Sequence, residues 1–137
     1  MAELSITAAQ VLAGADADFY QGVAGVAVTA GQAVYLDILT NRLRLADANG
    51  STDSAQLIGI ALHQAAAEQP LRVQTRGKVT LGVSAAVTSS TIFILGANPG
   101  GIAPAADKAA GWYTSLVGVG NAQAGINLSI FASGVLS

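Results

Sequence analysis

Apolar and polar residues alternate with a period of two over much of this chain, and this alternation constrains the fold more than any other feature. Residues 71–76, 78–83 and 126–130 each place apolar or β-branched side chains at every second position. Such a pattern is typical of a strand with one face toward a core and one toward solvent. Residues 57–62 and 92–95 are short continuous apolar runs, which predict strands buried on both faces.

Turn residues separate these segments. Gly31 stands before a predicted strand at residues 33–39, and glycine adopts a positive φ without steric cost. Thr40 and Asn41 connect that segment to residues 43–46, which predicts a β-hairpin.

Three further segments predict irregular structure. Residues 76–78 (Arg-Gly-Lys) interrupt two alternating segments, as expected for a β-bulge or a turn. Residues 47–54 predict a polar loop, and residues 98–101 predict a tight turn.

Helix is predicted in short pieces only. Residues 104–111 begin with proline and end with glycine, the asymmetry expected of a helix of one or two turns. The three alanines at 65–67 form either another such turn or the loop before Pro70.

The predicted fold is therefore all-β and mainly antiparallel. About seven to nine short strands at this spacing indicate a small β-sandwich or barrel, or a more open tulip-like arrangement of strands, with at most one or two short helices. Residues 1–21 show little alternation and predict an N-terminal arm, either extended or a short helix. Residues 22–137 form the β-rich domain.

Composition restricts the function. The chain is 52% apolar but only 10% charged, against about a quarter charged in an ordinary soluble domain. Its three long uncharged stretches, residues 19–36, 79–106 and 109–137, each exceed or approach the roughly 20 residues of a membrane-spanning helix. Glycine, asparagine, proline or short polar runs interrupt them, so we expect no membrane span. Six basic residues against eight acidic ones argue against nucleic-acid binding.

The sequence also offers little for chemistry. His63 is the only histidine and cysteine is absent, so a zinc site would lack its usual ligands. Asp47 and Asp53 do not match a calcium-binding loop, and no Gly-x-Ser-x-Gly elbow occurs. We expect no cofactor, no metal and no enzymatic activity, and we expect His63 to be a hydrogen-bonded structural residue.

Aromatic and apolar residues of the arm, together with the aromatic pair after Gly111, are candidates for an assembly interface. Tryptophan and tyrosine are enriched at binding hot spots, although filling the core is the alternative role for most of these residues. Tyr20 is the favoured exception because it lies where the arm joins the domain. The candidates are Ile6, Val11, Leu12, Phe19, Tyr20, Trp112 and Tyr113.

Six short segments carry a resemblance to a known family. In chain order they are 22–25 (GVAG), 29–37 (TAGQAVYLD), 45–47 (LAD), 59–61 (GIA), 101–107 (GIAPAAD) and 111–113 (GWY). With these segments in this order, the chain resembles the capsid decoration, or cement, proteins of tailed bacteriophages, and the resemblance is spread over roughly residues 22–132.

The resemblance implies a structural protein on the outer surface of the virion, made in the cytoplasm of the host bacterium. It would act as a homo-trimer or homo-dimer that clamps neighbouring major capsid subunits, without catalytic residues. Low charge suits such permanent contacts, and the arm could add a strand to an exposed sheet edge on the shell. The alternatives are a tail or fibre subunit, another oligomeric β-rich surface module or, less favoured, a small hydrolase around His63.

Overall fold

A computed structural model describes residues 6, 11–14, 16–48, 55–81, 92–96, 99–105, 112–121 and 125–136. These residues form an all-β fold without an α-helix, so the fold class predicted from the sequence is confirmed. The ten strands are β1 (Leu12–Ala13), β2 (Asp18–Val23), β3 (Ala33–Asp37), β4 (Arg42–Leu45), β5 (Gly59–Ala61), β6 (Pro70–Thr80), β7 (Ile92–Leu95), β8 (Ile102–Pro104), β9 (Tyr113–Asn121) and β10 (Gly125–Leu136).

All ten strands belong to one antiparallel sheet that curls into a half-barrel. Eight of them follow the order β4-β3-β5-β6-β10-β9-β7-β8, and β1 and β2 pair with β6 outside this order. β6 is its central strand because four others pair with it: β1 and β2 along one edge, β5 and β10 along the other. The curl brings β3 and β4 toward the β7–β8 turn. There the Ala33 N–H donates to the Gly100 carbonyl at 2.9 Å, and the Gly100 N–H donates to the Ala46 carbonyl at 2.6 Å.

β6 contains a bulge that changes which face its side chains occupy. Asp18 lies opposite Arg76 and Phe19 lies opposite Gln74, so Thr75 is an extra residue on β6. One extra residue moves every later side chain to the other face of the sheet. The segment 76–78 is thus part of a bulged continuous strand rather than a turn between two strands.

The bulge divides the apolar residues of β6 between two cores. Leu71 and Val73 enter the small core, whereas Val79 and Leu81, the residue that follows β6, enter the large core, although all four are odd-numbered. The small core consists of Ala24, Val28, Val34, Leu43, Ala61, Ala65, Leu71 and Val73. The large core consists of Ala33, Ala46, Ala48, Leu57, Ile60, Val79, Leu81, Phe93, Leu95, Ile102, Val117, Ile126 and Leu128.

Local hydrogen bonds hold the bulge. The buried Gln74 side chain donates from Nε2 to the Arg76 carbonyl at 3.1 Å and to the Lys78 carbonyl at 2.7 Å. Gly77 has a φ of 93°, and a Cβ there would lie 2.6 Å from the Asp16 carbonyl oxygen. The Lys78 N–H donates to Asp16 Oδ1 at 3.0 Å, and this bond lowers the pKa of Asp16 below its ordinary value of 3.8.

The predicted hairpin is confirmed, but its strand end is corrected. β3 and β4 pair from Val34 opposite Leu45 to Asp37 opposite Arg42. The sequence extends the first strand to residue 39, whereas β3 ends at Asp37 and residues 38–41 form the turn. The positive φ predicted for Gly31 is confirmed at 91°.

Other predictions have mixed outcomes. Residues 65–67 form a loop in which Ala65 bridges to Val28. Pro104 ends β8, and residues 106–111 of the predicted helix lie outside the described residues, as do residues 49–54 of the polar loop.

Ile92, predicted to be buried, is half exposed, while the rest of β7 is buried. The described part of the predicted arm is extended along β6 as β1 and the first residues of β2.

We expect Gly77→Ala to lower the free energy of unfolding by about 2 kcal/mol or more, because the positive φ and the Asp16 backbone both oppose a Cβ. Urea denaturation followed by circular dichroism measures this. Ser129→Ala, at an exposed strand position opposite Arg76, is the control and should change little. Equal losses in the two variants would contradict the role given to the bulge.

We expect Asp16→Asn to flatten the acid limb of the stability profile. The pKa of Asp16 is depressed in the folded state, so its contribution is present above the ordinary value of 3.8 and is lost as pH falls through the folded-state pKa. An asparagine oxygen still accepts the Lys78 N–H but does not titrate. Denaturation midpoints between pH 5 and the acid limit should therefore fall less steeply in the variant, and parallel profiles would count against this contribution.

Candidate assembly surface

Most of the interface residues predicted from the sequence pack against the cores. Ile6, Val11 and Trp112 are partly buried on the large core, and Tyr20 is partly buried on the small core. Tyr113 is also partly buried, in β9 opposite Leu136. Four of the seven predicted interface residues therefore contribute to the packing of the cores.

Leu12 and Phe19 are the two predicted residues with large exposed side chains, at 69% and 41%. They lie on β1 and β2, along the same edge of β6. The Arg72 guanidinium carbon sits 3.8 Å from the centroid of the Phe19 ring, a cation–π contact. Phe19 therefore already has an intramolecular partner on one face of its ring.

Among the described residues, five other large apolar side chains are exposed, and the sequence analysis did not identify them. Ile38 and Leu39 are exposed by 80% and 92% and form what we call the hairpin tip, at the turn between β3 and β4. Ile92, Val119 and Phe131 are exposed by 51%, 43% and 66% and form what we call the outer sheet patch, on β7, β9 and β10. In the order of hydrogen-bonded neighbours, β5 and β6 stand between β3 and β10.

The hairpin tip is held by the residue that precedes it. The Asp37 carbonyl accepts the Asn41 N–H at 2.7 Å, and Asp37 Oδ1 accepts the Leu39 N–H at 3.0 Å. Asn41 adopts a left-handed φ of 57°, which asparagine tolerates better than most residues. The two exposed aliphatic side chains are therefore presented by a defined turn.

Ion pairs fix the base of the same hairpin. Arg44 Nε lies 3.2 Å from Asp37 Oδ2 across the two strands. Arg42 donates from Nε to Glu68 Oε2 and from Nη2 to Glu68 Oε1, both at 3.1 Å, which ties β4 to the loop before β6. The hydrogen bond from Arg42 lowers the pKa of the Glu68 carboxyl. Exposed pairs of this kind add modest stability but restrict the orientation of the hairpin.

A groove of about 300 Å³ runs beside the hairpin tip. Leu36 and Ile58 form its apolar part, and both are partly buried against the small core. Asp37, Ile38 and Gln56 complete the lining.

Strand pairing places the outer sheet patch on one face. Ile92 lies opposite Val119, and Phe131 lies opposite Leu116. Leu116 in turn lies opposite Ile94, which shares a face of β7 with Ile92. Because paired residues point to the same face, the three exposed residues belong to the face opposite the large core.

His63 has both ring nitrogens bound to the backbone. Nε2 accepts the Arg72 N–H at 3.0 Å, so the proton resides on Nδ1, which donates to the Gln64 carbonyl at 2.9 Å. The ring borders an open cleft of about 360 Å³ beside β2 and β6. The part of the chain that the structure describes contains no group of three or more acidic or histidine side chains placed to hold a metal ion. The same part contains no helix long and apolar enough to cross a membrane.

Comparison with models of known protein families gives no match, and neither does comparison with curated protein sequences.

One sequence signal could have located the hairpin tip. Turns favour glycine, proline, asparagine, aspartate and serine, yet Ile38 and Leu39 occupy the first half of this one. Two bulky aliphatic residues in a turn are anomalous unless something covers them. The outer sheet patch has no comparable signal, because apolar residues in a strand predict burial.

We expect Ile38→Ser and Leu39→Ser to change the free energy of unfolding by no more than about 0.5 kcal/mol, since both side chains are almost fully exposed. Leu43→Ala, four residues along the same hairpin but fully buried, should lose about 2–5 kcal/mol. Urea denaturation at a protein concentration low enough to keep the chain monomeric measures both. A large loss in the serine variants would show that the tip serves the fold rather than a contact.

Proposed function

We propose that this protein is a structural assembly protein that binds the outer surface of a tailed-phage head and cements neighbouring major capsid subunits. The observation that carries the proposal is the set of large apolar side chains held exposed on a rigid β scaffold, in a chain with only 10% charged residues. The resemblance of residues 22–132 to decoration proteins supplies the phage head as the partner.

The outer sheet patch is the surface that we assign to the shell. Its three apolar side chains lie on one face of an antiparallel sheet, and covering a large apolar side chain is worth about 1.5–3 kcal/mol. This free energy is gained only when a partner surface covers the three side chains and excludes water from them. A broad sheet face suits the gently curved exterior of a large shell.

Cementing follows from preferential binding. A protein that binds the assembled shell better than loose subunits stabilises the assembly by mass action. A homo-trimer or homo-dimer that engages several capsid subunits at once needs only modest affinity per copy, because the second contact forms at high effective concentration.

The alternatives are a tail or fibre subunit, or another oligomeric β-rich surface module, which the same apolar surfaces would also suit. A small hydrolase around His63 is less favoured. A catalytic histidine needs a ring nitrogen available to move a proton, and both nitrogens of His63 are bound to backbone groups.

Negative-stain microscopy of expanded phage shells mixed with the purified protein tests the proposal. We expect regular added density on the shell lattice, and bare shells would overturn the proposal.

Two variants sharpen this experiment. Phe131→Ser removes the most exposed side chain of the outer sheet patch and should reduce shell occupancy at a fixed protein concentration. His63→Gln is the control: it should decorate shells as the wild type does. Loss of decoration by His63→Gln with retention by Phe131→Ser would show that the patch is assigned wrongly.

A further inference from the structure

We infer that the hairpin tip and the groove beside it form a self-complementary surface through which two copies of this chain pair about a two-fold axis. The inference rests on the self-association included in the proposed function and names the surface that performs it. The outer sheet patch remains available for the shell.

The projecting half of this surface is the hairpin tip. Ile38 and Leu39 stand almost entirely in solvent, although removal of two such side chains from water is strongly favourable. The hydrogen bonds that Asp37 accepts from the Leu39 and Asn41 N–H groups hold the turn before any partner arrives. A pre-organised contact loses little conformational entropy on binding, which favours association.

The receiving half is the groove next to the tip. Its apolar part, Leu36 and Ile58, packs from beneath on the small core, so the groove exists in the single chain. Ile38 itself lines the groove, which places projection and recess on the same patch. A two-fold contact requires the same patch on both partners, so that the tip of each copy enters the groove of the other.

Charge favours a second copy as the occupant. Asp37 is the one charged residue among those that line the groove, and Arg44 neutralises it at 3.2 Å. Residues 38–41 carry no charge. The tip of a second copy would therefore enter without leaving an unpaired charge buried, which would be costly, whereas a charged peptide would find no counter-charge.

Sedimentation equilibrium of the purified chain over a dilution series tests the pairing without shells. We expect the wild type to fit a monomer–dimer equilibrium and Leu39→Ser to weaken it about tenfold or more, the effect of truncating a central anchor. Ile92→Ser, an equally drastic change in the outer sheet patch, should leave the equilibrium unchanged. A monomeric wild type, a trimer, or equal weakening by both variants would each overturn the inference.

Cysteine cross-linking tests the geometry, since the natural chain has no cysteine. Leu39→Cys and Gln56→Cys proteins are prepared separately, mixed and oxidised. If the tip of one copy enters the groove of the other, the mixture should form the mixed disulfide faster than a mixture of Ile92→Cys and Gln56→Cys, in which exposed thiols meet only by collision. Equal rates in the two mixtures would refute the insertion of the hairpin tip of one copy into the groove of the other.

The two proposals fail separately. Pairing in solution with bare shells would remove the proposed function and keep this surface. If shells are decorated but the chain stays monomeric in solution, binding to the shell is supported and the pairing surface is refuted.

Discussion

The bulge at Thr75 is the constraint on which the rest of the structure depends. A strand of eleven residues with strict alternation would send all of its apolar side chains to one face, and β6 could then contribute to only one core. One extra residue allows β6 to supply Leu71 and Val73 to the small core and Val79, together with Leu81 directly after the strand, to the large core. The same strand can then pair with four neighbours and hold both halves of the curled sheet together.

Such a bulge has to be held in place, and the residues around it do this with few charges. Gln74 satisfies two backbone carbonyls from within the protein, and Gly77 lets the strand pass close to the Asp16 backbone. The N-terminal strands β1 and β2 are fastened to β6 by this arrangement. The segment that the sequence presents as an arm therefore contributes to the edge of the central strand, at least over residues 12–13 and 18–21.

The low charge of the chain determines the character of its surface. The four arginine side chains of the described strands have local partners: Arg42 with Glu68, Arg44 with Asp37, Arg76 with Asp18, and Arg72 over Phe19. Such pairs orient the hairpin and the strand edges without creating a charged face. The exposed apolar residues then stand on surfaces that another protein can cover, the hairpin tip at the turn between β3 and β4 and the outer sheet patch on β7, β9 and β10.

The sequence by itself determined the all-β class, the β3–β4 hairpin and the positive φ of Gly31, because alternation and turn chemistry are local properties that neighbouring residues specify. It left open whether residues 76–78 form a bulge or a turn, because the answer depends on pairing with Asp18 and Phe19, more than fifty residues away in the chain. Only the tertiary structure decided that Ile6, Val11, Trp112 and Tyr20 pack on the cores while Ile38, Leu39, Ile92, Val119 and Phe131 face solvent. An apolar residue is attracted to any surface that excludes water, and only the packing of distant strands determines whether this chain supplies that surface.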